Sequence, residues 1–394
     1  MRARSLRTAG SLRMATVQSP IIPRIAALAR AHPGTLSLGQ GVSWWGPPAG
    51  ALKAISGFGS RHEDHLYGAV EGDPGLRERI GSKLARENGV RLEHGYRLMV
   101  TAGANMAFFQ AVLAITDPGD EVILPLPWYF NQEMAIRMAG AVPVPVPCGT
   151  GYQIDPAAIA SALTPRTRVV VTVSPNNPSG AVYPRQTLAR INELCRERGL
   201  WHLSDEAYEY FTWGQARHFS PASLEGAAGH TISFYSLSKA YGFASWRIGY
   251  MVYPEALHEA LLKVQDTNLI CPPAVTQRAA VACLEEGAGY TRRRLEPVAR
   301  VREEFIGALD AIEGCELPVT EGAFYFLLGL DTRLSGMEVA RRLIAEHGVA
   351  VIPGEAFGMT GGCHLRVSYG CLRPEDAGAA LDRLTTGLRA CLAR

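Results

Sequence analysis

Residues 236 to 250 read Ser-Leu-Ser-Lys-Ala-Tyr-Gly-Phe-Ala-Ser-Trp-Arg-Ile-Gly-Tyr. An apolar, β-rich run from Thr231 to Tyr235 leads into this stretch, and a polar turn then carries Lys239 among small residues. Eight positions later comes Arg247, followed at once by Ile-Gly-Tyr. A lysine at the end of a strand, desolvated by neighbouring core, suits Schiff-base chemistry, because burial lowers its pKa and frees the nitrogen lone pair. Ser236, Ser238 and Arg247 can cradle a phosphate dianion beside it, since arginine bonds phosphate oxygens in pairs. A lone Ser-x-Ser-Lys is more often a surface turn; the arginine and the flanks weigh against that reading here.

Outward from this stretch, strand-like runs alternate with helical ones. Arg97 to Thr101 predicts a strand, Ala104 to Ile115 a buried helix, Glu121 to Leu124 a strand, and Met134 to Met138 part of a helix ending at Gly140. Arg168 to Val173 is a β-branched strand, Leu188 to Arg198 a helix, Trp201 to Leu203 a short strand, and Ile248 to Val252 another. Strands separated by helices predict a mostly parallel, doubly wound α/β sheet. Beyond Pro254 the pattern turns helical, with a long amphipathic stretch from Tyr290 to Ile312. The apolar segment Ala323 to Leu328, a helix at Met337 to His347, short strands at Val349 to Ile352 and His364 to Ser368, and a last helix from Pro374 predict a smaller α+β domain.

The 394 residues suffice for two domains. With 39 basic and 37 acidic residues the charge is almost balanced, so neither nucleic acid nor an anionic membrane is implied as a partner. No apolar run approaches the ~20 residues of a membrane-spanning helix. The eight cysteines are scattered, without Cys-x-x-Cys or Cys/His spacing, which predicts free thiols in a cytoplasmic setting and no metal. Arg2, Arg4, Arg7 and Arg13 without an acidic residue loosely suggest a transit peptide; the preferred expectation is a frayed leader or a start at Met14.

Other segments carry chemistry. Ala102-Gly103-Ala104-Asn105 marks a strand-to-helix junction, where free N–H groups and the helix dipole attract phosphate. In Leu126-Pro127-Trp128-Tyr129 an aromatic ring after a strand can stack on a flat ligand ring; spacing does not say which one. Ser174-Pro175-Asn176-Asn177-Pro178-Ser179-Gly180 is a rigid loop that presents the Asn177 amide. Leu203-Ser204-Asp205-Glu206-Ala207-Tyr208 puts a carboxylate at a strand end, where it can also serve as a helix cap. Asn105, Asn177, Asp205 and Lys239 all fall at the carboxyl ends of strands, the ligand-binding edge of an open α/β sheet.

Together these segments resemble, in the right order and from about Ser37 to Tyr369, the class I/II aminotransferases of fold type I, which use pyridoxal 5′-phosphate. The resemblance implies that Lys239 carries the cofactor as a Schiff base and acts as catalytic acid and base. It implies a phosphate site from Gly103, Ala104, Asn105, Ser236, Ser238 and Arg247. Tyr129 matches the stacking position, and Asn177 and Tyr208 the partners of the cofactor's phenolic oxygen. Asp205 would keep the pyridine nitrogen protonated, making the ring an electron sink. Cys363-His364-Leu365-Arg366-Val367-Ser368-Tyr369 looks like the family's carboxylate clamp, with Arg366 paired to the substrate α-carboxylate and the Gly41 N–H of Ser37-Leu38-Gly39-Gln40-Gly41 assisting. Tyr67 matches a tyrosine that reaches the phosphate of a neighbouring subunit, which implies a homodimer with shared active sites. The resemblance also implies an N-terminal segment, 1–45, packing with a small domain, 288–394, beside a large cofactor domain, 46–287.

Departures bear on the substrate. Ser179 stands where most relatives carry threonine, and Ser245 where glycine is common. After Gly41 the loop runs Val42-Ser43-Trp44-Trp45-Gly46-Pro47-Pro48. Trp44 and its neighbour at a pocket mouth would select a large apolar, aromatic or cationic side chain; packing between domains is the other reading. The expected reaction is transamination between an L-amino acid and a 2-oxo acid. The alternatives are elimination, cyclisation or oxidation on the same scaffold, or a non-catalytic regulator, which would need an attached DNA-binding module.

Overall fold

The computed structural model describes residues 10–393. Residues 1–9 of the basic leader lie outside the described residues, while Arg13 sits in an exposed single helical turn, Leu12–Ala15. In chain order the strands are β1 (Leu36–Ser37), β2 (Tyr96–Thr101), β3 (Glu121–Leu126), β4 (Val142–Pro147), β5 (Thr167–Val173), β6 (Trp201–Asp205) and β7 (Thr231–Ser236). They continue as β8 (Gly249–Pro254), β9 (Cys315–Glu316), β10 (Tyr325–Leu330), β11 (Val349–Ala350), β12 (Ile352–Pro353) and β13 (Cys363–Ser368).

Seven strands form the main sheet in the order β2-β8-β7-β6-β5-β3-β4. Every neighbouring pair is parallel except those involving β8, which runs antiparallel to both β2 and β7. The run of valines in β5 explains why this sheet is covered on both faces. Val169, Val171 and Val173 join the core that includes Phe108 and Ile136, and Val170 joins the one that includes Leu188 and Ile191. With a side-chain period of two, an unbroken apolar run buries both faces of a strand, as parallel strands require. β4 was not expected from its Val-Pro alternation. It pairs only with β3 at the sheet's end, where proline's missing N–H costs no ladder bond.

A four-stranded antiparallel sheet, β12-β13-β10-β9, follows the 23-residue helix Ala288–Asp310. Its strand β13 brings Arg366 opposite Leu327 of β10. Near the N-terminus, β1 pairs in parallel with β11, and the Ser368 N–H donates to the Leu38 carbonyl (2.8 Å). Among the described residues no helix is long and apolar enough to cross a membrane.

Candidate active site

The carboxyl ends of β5, β6 and β7 open into a cleft of about 380 Å³, within the usual size range for small-ligand sites. Asn105, Tyr129, Asn177, Asp205, Tyr208 and Lys239 line it, together with Gly41, Ala104, Ser236, Ser238, Arg247 and Arg366.

Lys239 sits on a single helical turn, Leu237–Ala240, directly after β7, and the Ser236 hydroxyl caps that turn by accepting the Ser238 N–H (3.1 Å). Its Nζ donates to the Gly41 carbonyl (2.5 Å). Enclosure by protein, then the cations of Arg247 and Arg366, lower its ammonium pKa to about 8, with Asp205 pulling the other way. A neutral amine is thus within easy reach near neutral pH.

Asp205 ends β6 and is buried. One carboxylate oxygen accepts the Ala207 N–H (3.1 Å) and the other the Gln132 amide (2.7 Å). Both donors are neutral, and burial pushes the carboxyl up to about 6. A cationic ring nitrogen placed against it would favour the ionised form.

At one end of the cleft the helix Ala104–Ile115 begins at Gly103 without a side-chain cap. Gly103 has φ +85°, and a Cβ there would collide with the Arg247 guanidinium, so glycine alone permits this approach. Arg247 donates to the Ala244 carbonyl (2.8 Å) and to the Ala102 carbonyl (3.3 Å), and it stays exposed beside the helix N-terminus. Free helix N–H groups, two serines and an arginine are a phosphate-binding set.

At the other end Arg366 is only 1% exposed. Its Nη1 donates to Asn177 Oδ1 (2.8 Å) and its Nη2 to the Gly39 carbonyl (2.6 Å). The guanidinium carbon lies 4.7 Å from the ring centroid of Tyr325 and 5.1 Å from that of Phe357. Its Nε is buried without a partner, and no carboxylate among the described residues lies within ion-pair distance of it. A buried cation held only by neutral groups is destabilising by itself, and a bound carboxylate relieves that.

Most of the expected site residues therefore meet in one place; three do not line the cleft. Gly103 acts from behind, through the approach it allows Arg247. Tyr67 is 80% exposed and away from the cleft of its own chain. Trp44 is partly buried, its backbone N–H donating to the Gly370 carbonyl (3.0 Å) while its indole nitrogen is buried without a partner, and it does not line the cleft. Trp45 stacks on Phe211 and donates from its indole nitrogen to the Ala240 carbonyl (3.2 Å). Within the chain neither tryptophan lines this cleft, and the loop buttresses the lysine turn, helped by Ser43 Oγ donating to the Lys239 carbonyl (2.6 Å). Of the two candidate stacking rings, Tyr129 faces the cleft and Trp128 does not. Gln132, Tyr325, Pro20, Ile22 and Pro23 escaped the sequence reading. Gln132 looks like any helical position, and the prolines and Ile22 come from a segment with no motif.

The donor set suits pyridoxal 5′-phosphate residue by residue. The Gly103 junction with Arg247, Ser236 and Ser238 would hold the phosphate, and Asp205 the ring nitrogen. Asn177 and Tyr208 would meet the ring oxygen, and Lys239 the aldehyde carbon. Comparison with known proteins agrees. Residues 34–384 match the family model for aminotransferase class I and II. Aromatic aminotransferase ISS1 of Arabidopsis thaliana is 36% identical over 382 residues, covering 95% of this chain and 94% of that protein. An aspartate aminotransferase of Rhizobium meliloti is 33% identical over 381 residues, covering 93% of this chain and 92% of that protein. The structure of Thermus thermophilus aspartate aminotransferase with maleate superposes with a TM-score of 0.88 at 31% identity, covering 96% of this chain and 99% of that one. With family, fold and donor set in agreement, this chain belongs to the class I and II aminotransferases and is a pyridoxal-phosphate-dependent enzyme of transamination.

Proposed function

We propose that Lys239 is the residue to which the cofactor is attached, and that it also moves the proton of the reaction. When bound, the cofactor supplies an electron sink for the carbanion at the substrate Cα. Asp205 holds the proton on the ring nitrogen, and Gln132 and the Ala207 N–H keep its carboxylate in place. Arg366 and the Gly41 N–H bind the α-carboxylate, which fixes the bond that breaks. Lys239 Nζ, once free, takes the proton from Cα and holds it for delivery. Its lowered pKa lets the same nitrogen act as base and then acid.

The substrates are an amino acid and a 2-oxo acid. The cleft wall formed by Pro20, Ile22, Pro23 and Val42 is apolar, and beyond Lys239, Arg247 and Arg366 no cation lines it among the described residues. This supports an uncharged substrate side chain over an acidic one. Of the segment 1–45, the described part, 10–45, is read as packing with the small domain that begins at residue 288, on the strength of the β1–β11 pairing, with 46–287 as the cofactor domain. The working assembly is a cytoplasmic homodimer in amino acid biosynthesis. Exposed Leu66 and Tyr67 support the dimer, as does Ile270, next to the Cys271 sulfur that accepts the Gly68 N–H (3.3 Å).

The observation that carries the reading is that Lys239, Asp205 and Arg366, 161 positions apart from first to last in sequence, converge on one cleft. Borohydride reduction of the holoenzyme followed by peptide mapping is expected to leave the cofactor on Lys239. A label on Lys83 or Lys263 refutes the assignment.

A further inference from the structure

We infer that Tyr325 is a positioning residue that turns the single hydroxyl hydrogen of Tyr208 into the cleft. This rests on the reading of Tyr208 as a partner of the cofactor's ring oxygen.

A phenol has one hydrogen and an oxygen that accepts. Tyr208 is buried, and two groups crowd its oxygen: Asn177 Nδ2 at 3.4 Å and the Tyr325 hydroxyl at 2.6 Å. The amide orientation is settled by Arg366, which donates to Asn177 Oδ1 and so leaves the Asn177 nitrogen facing Tyr208. That nitrogen can only donate. The direction of the bond between the two phenols then decides where the Tyr208 hydrogen goes.

Tyr325 begins β10 and is fully buried, with the guanidinium of Arg366 over its ring, 4.7 Å from the centroid. A cation against the ring face draws electron density from the phenol and makes its O–H the better donor. Among the described residues no such cation stands over Tyr208, whose rings in contact, Phe211, Phe324 and Tyr325, meet it edge to face. Tyr325 therefore donates and Tyr208 accepts. With Asn177 and Tyr325 both donating to its oxygen, Tyr208 directs its own hydrogen to a third neighbour, and the open side is the cleft. Gly41 lets the Tyr325 hydroxyl come close from the cleft side, since a Cβ there would collide with it. The carboxylate clamp and the ring-oxygen donor are thus joined through one phenol of the C-terminal sheet.

The test uses holoenzyme in four forms: wild type, Tyr325→Phe, Tyr208→Phe and the double variant. The readout is the pH midpoint of the bound cofactor's visible absorbance. Thermal unfolding checks that each form is folded; phenylalanine keeps the ring beneath Arg366. Losing a donor to the ring oxygen raises the midpoint, so Tyr208→Phe is expected to shift it upward. Tyr325→Phe is expected to shift it the same way by a smaller amount, about two- to tenfold in the proton-dissociation constant, the net worth of one hydrogen bond. In the Tyr208→Phe background it is expected to add nothing. An unchanged midpoint in Tyr325→Phe, with Tyr208→Phe shifted, overturns this inference alone. An equal shift in both backgrounds also overturns it, because Tyr325 would then act through Arg366. An unshifted Tyr208→Phe removes the reading of Tyr208 and the inference with it.

Discussion

Lys83 and Lys239 are both drawn into the interior, and their surroundings are opposite. Lys83 ends the helix Pro74–Lys83 and is 4% exposed. Its Nζ forms an ion pair with Glu209, donates to Asn88 Oδ1 (2.8 Å), and lies over the rings of Tyr210 (5.3 Å) and Tyr235 (5.2 Å). Lys239 lies four residues beyond that same Tyr235 and has a backbone carbonyl as its hydrogen-bond partner, with two arginines raising the cost of its charge. Burial by itself does not make a lysine reactive. What matters is whether the lost hydration is replaced by an anion and aromatic faces or left unreplaced, and only the second case favours the neutral, nucleophilic amine.

That contrast is most sharply exposed by removing each amine. Lys239→Ala is expected to lower kcat by about four orders of magnitude or more, since it removes both the attachment point and the proton carrier. The variant should still unfold at a temperature close to wild type. Steady-state kinetics beside a thermal melt would break the comparison if activity survived.

Asp205→Asn comes next. Among the described residues Asp205 is the carboxylate that favours charge on Lys239, a distant counterpart of Glu209 beside Lys83. A neutral amide cannot hold the ring nitrogen's charge, so kcat should fall by orders of magnitude while the cofactor still binds. Near-normal kcat, with binding followed by absorbance, would reduce Asp205 to a cap for the Ala207 N–H.

The smallest effect on chemistry belongs to Lys83→Met. Glu209 would be left buried without its cation, a loss of about 3–5 kcal/mol in stability. The kcat per folded molecule should stay near that of wild type. Denaturant unfolding and kinetics on the same preparation separate the two, and a fall in kcat with unchanged stability would contradict the contrast.

The alternation of strands and helices around Lys239 was legible because each element carries its own local period. Ala104–Ile115 is a helix over the residues expected, and β5 begins one residue before its expected start. The direction of β8 was not legible, since strand polarity is decided by partners far away in sequence. Trp44 and Trp45 left two readings open for a related reason: a tryptophan pair in a loop has the same sequence whether it faces a ligand or packs against Phe211, as Trp45 does. Tyr325 read only as part of an apolar segment. Its meaning depends on Tyr208, 117 positions earlier, and on an arginine of the neighbouring strand. Lys239, Asn177, Asp205 and Arg366 stood out because each sits in a run of several unusual residues, whereas Gln132 is a single position in an ordinary helix.

The reversal of β8 has a consequence for how tightly the parts of the site are tied together. Had that strand run with its neighbours, Arg247, just before its first residue, would stand at the far edge of the sheet, about 20 Å away at ~3.3 Å per residue. A crossover of a dozen or more residues would then be needed to reach that edge. Because the chain leaves β7 and begins β8 at the same edge, one continuous loop carries both the amine and the guanidinium. The two groups share one tether. A length change between Ala240 and Trp246 would move the phosphate anchor against the reactive nitrogen, whereas added residues after Pro254 would leave their spacing intact.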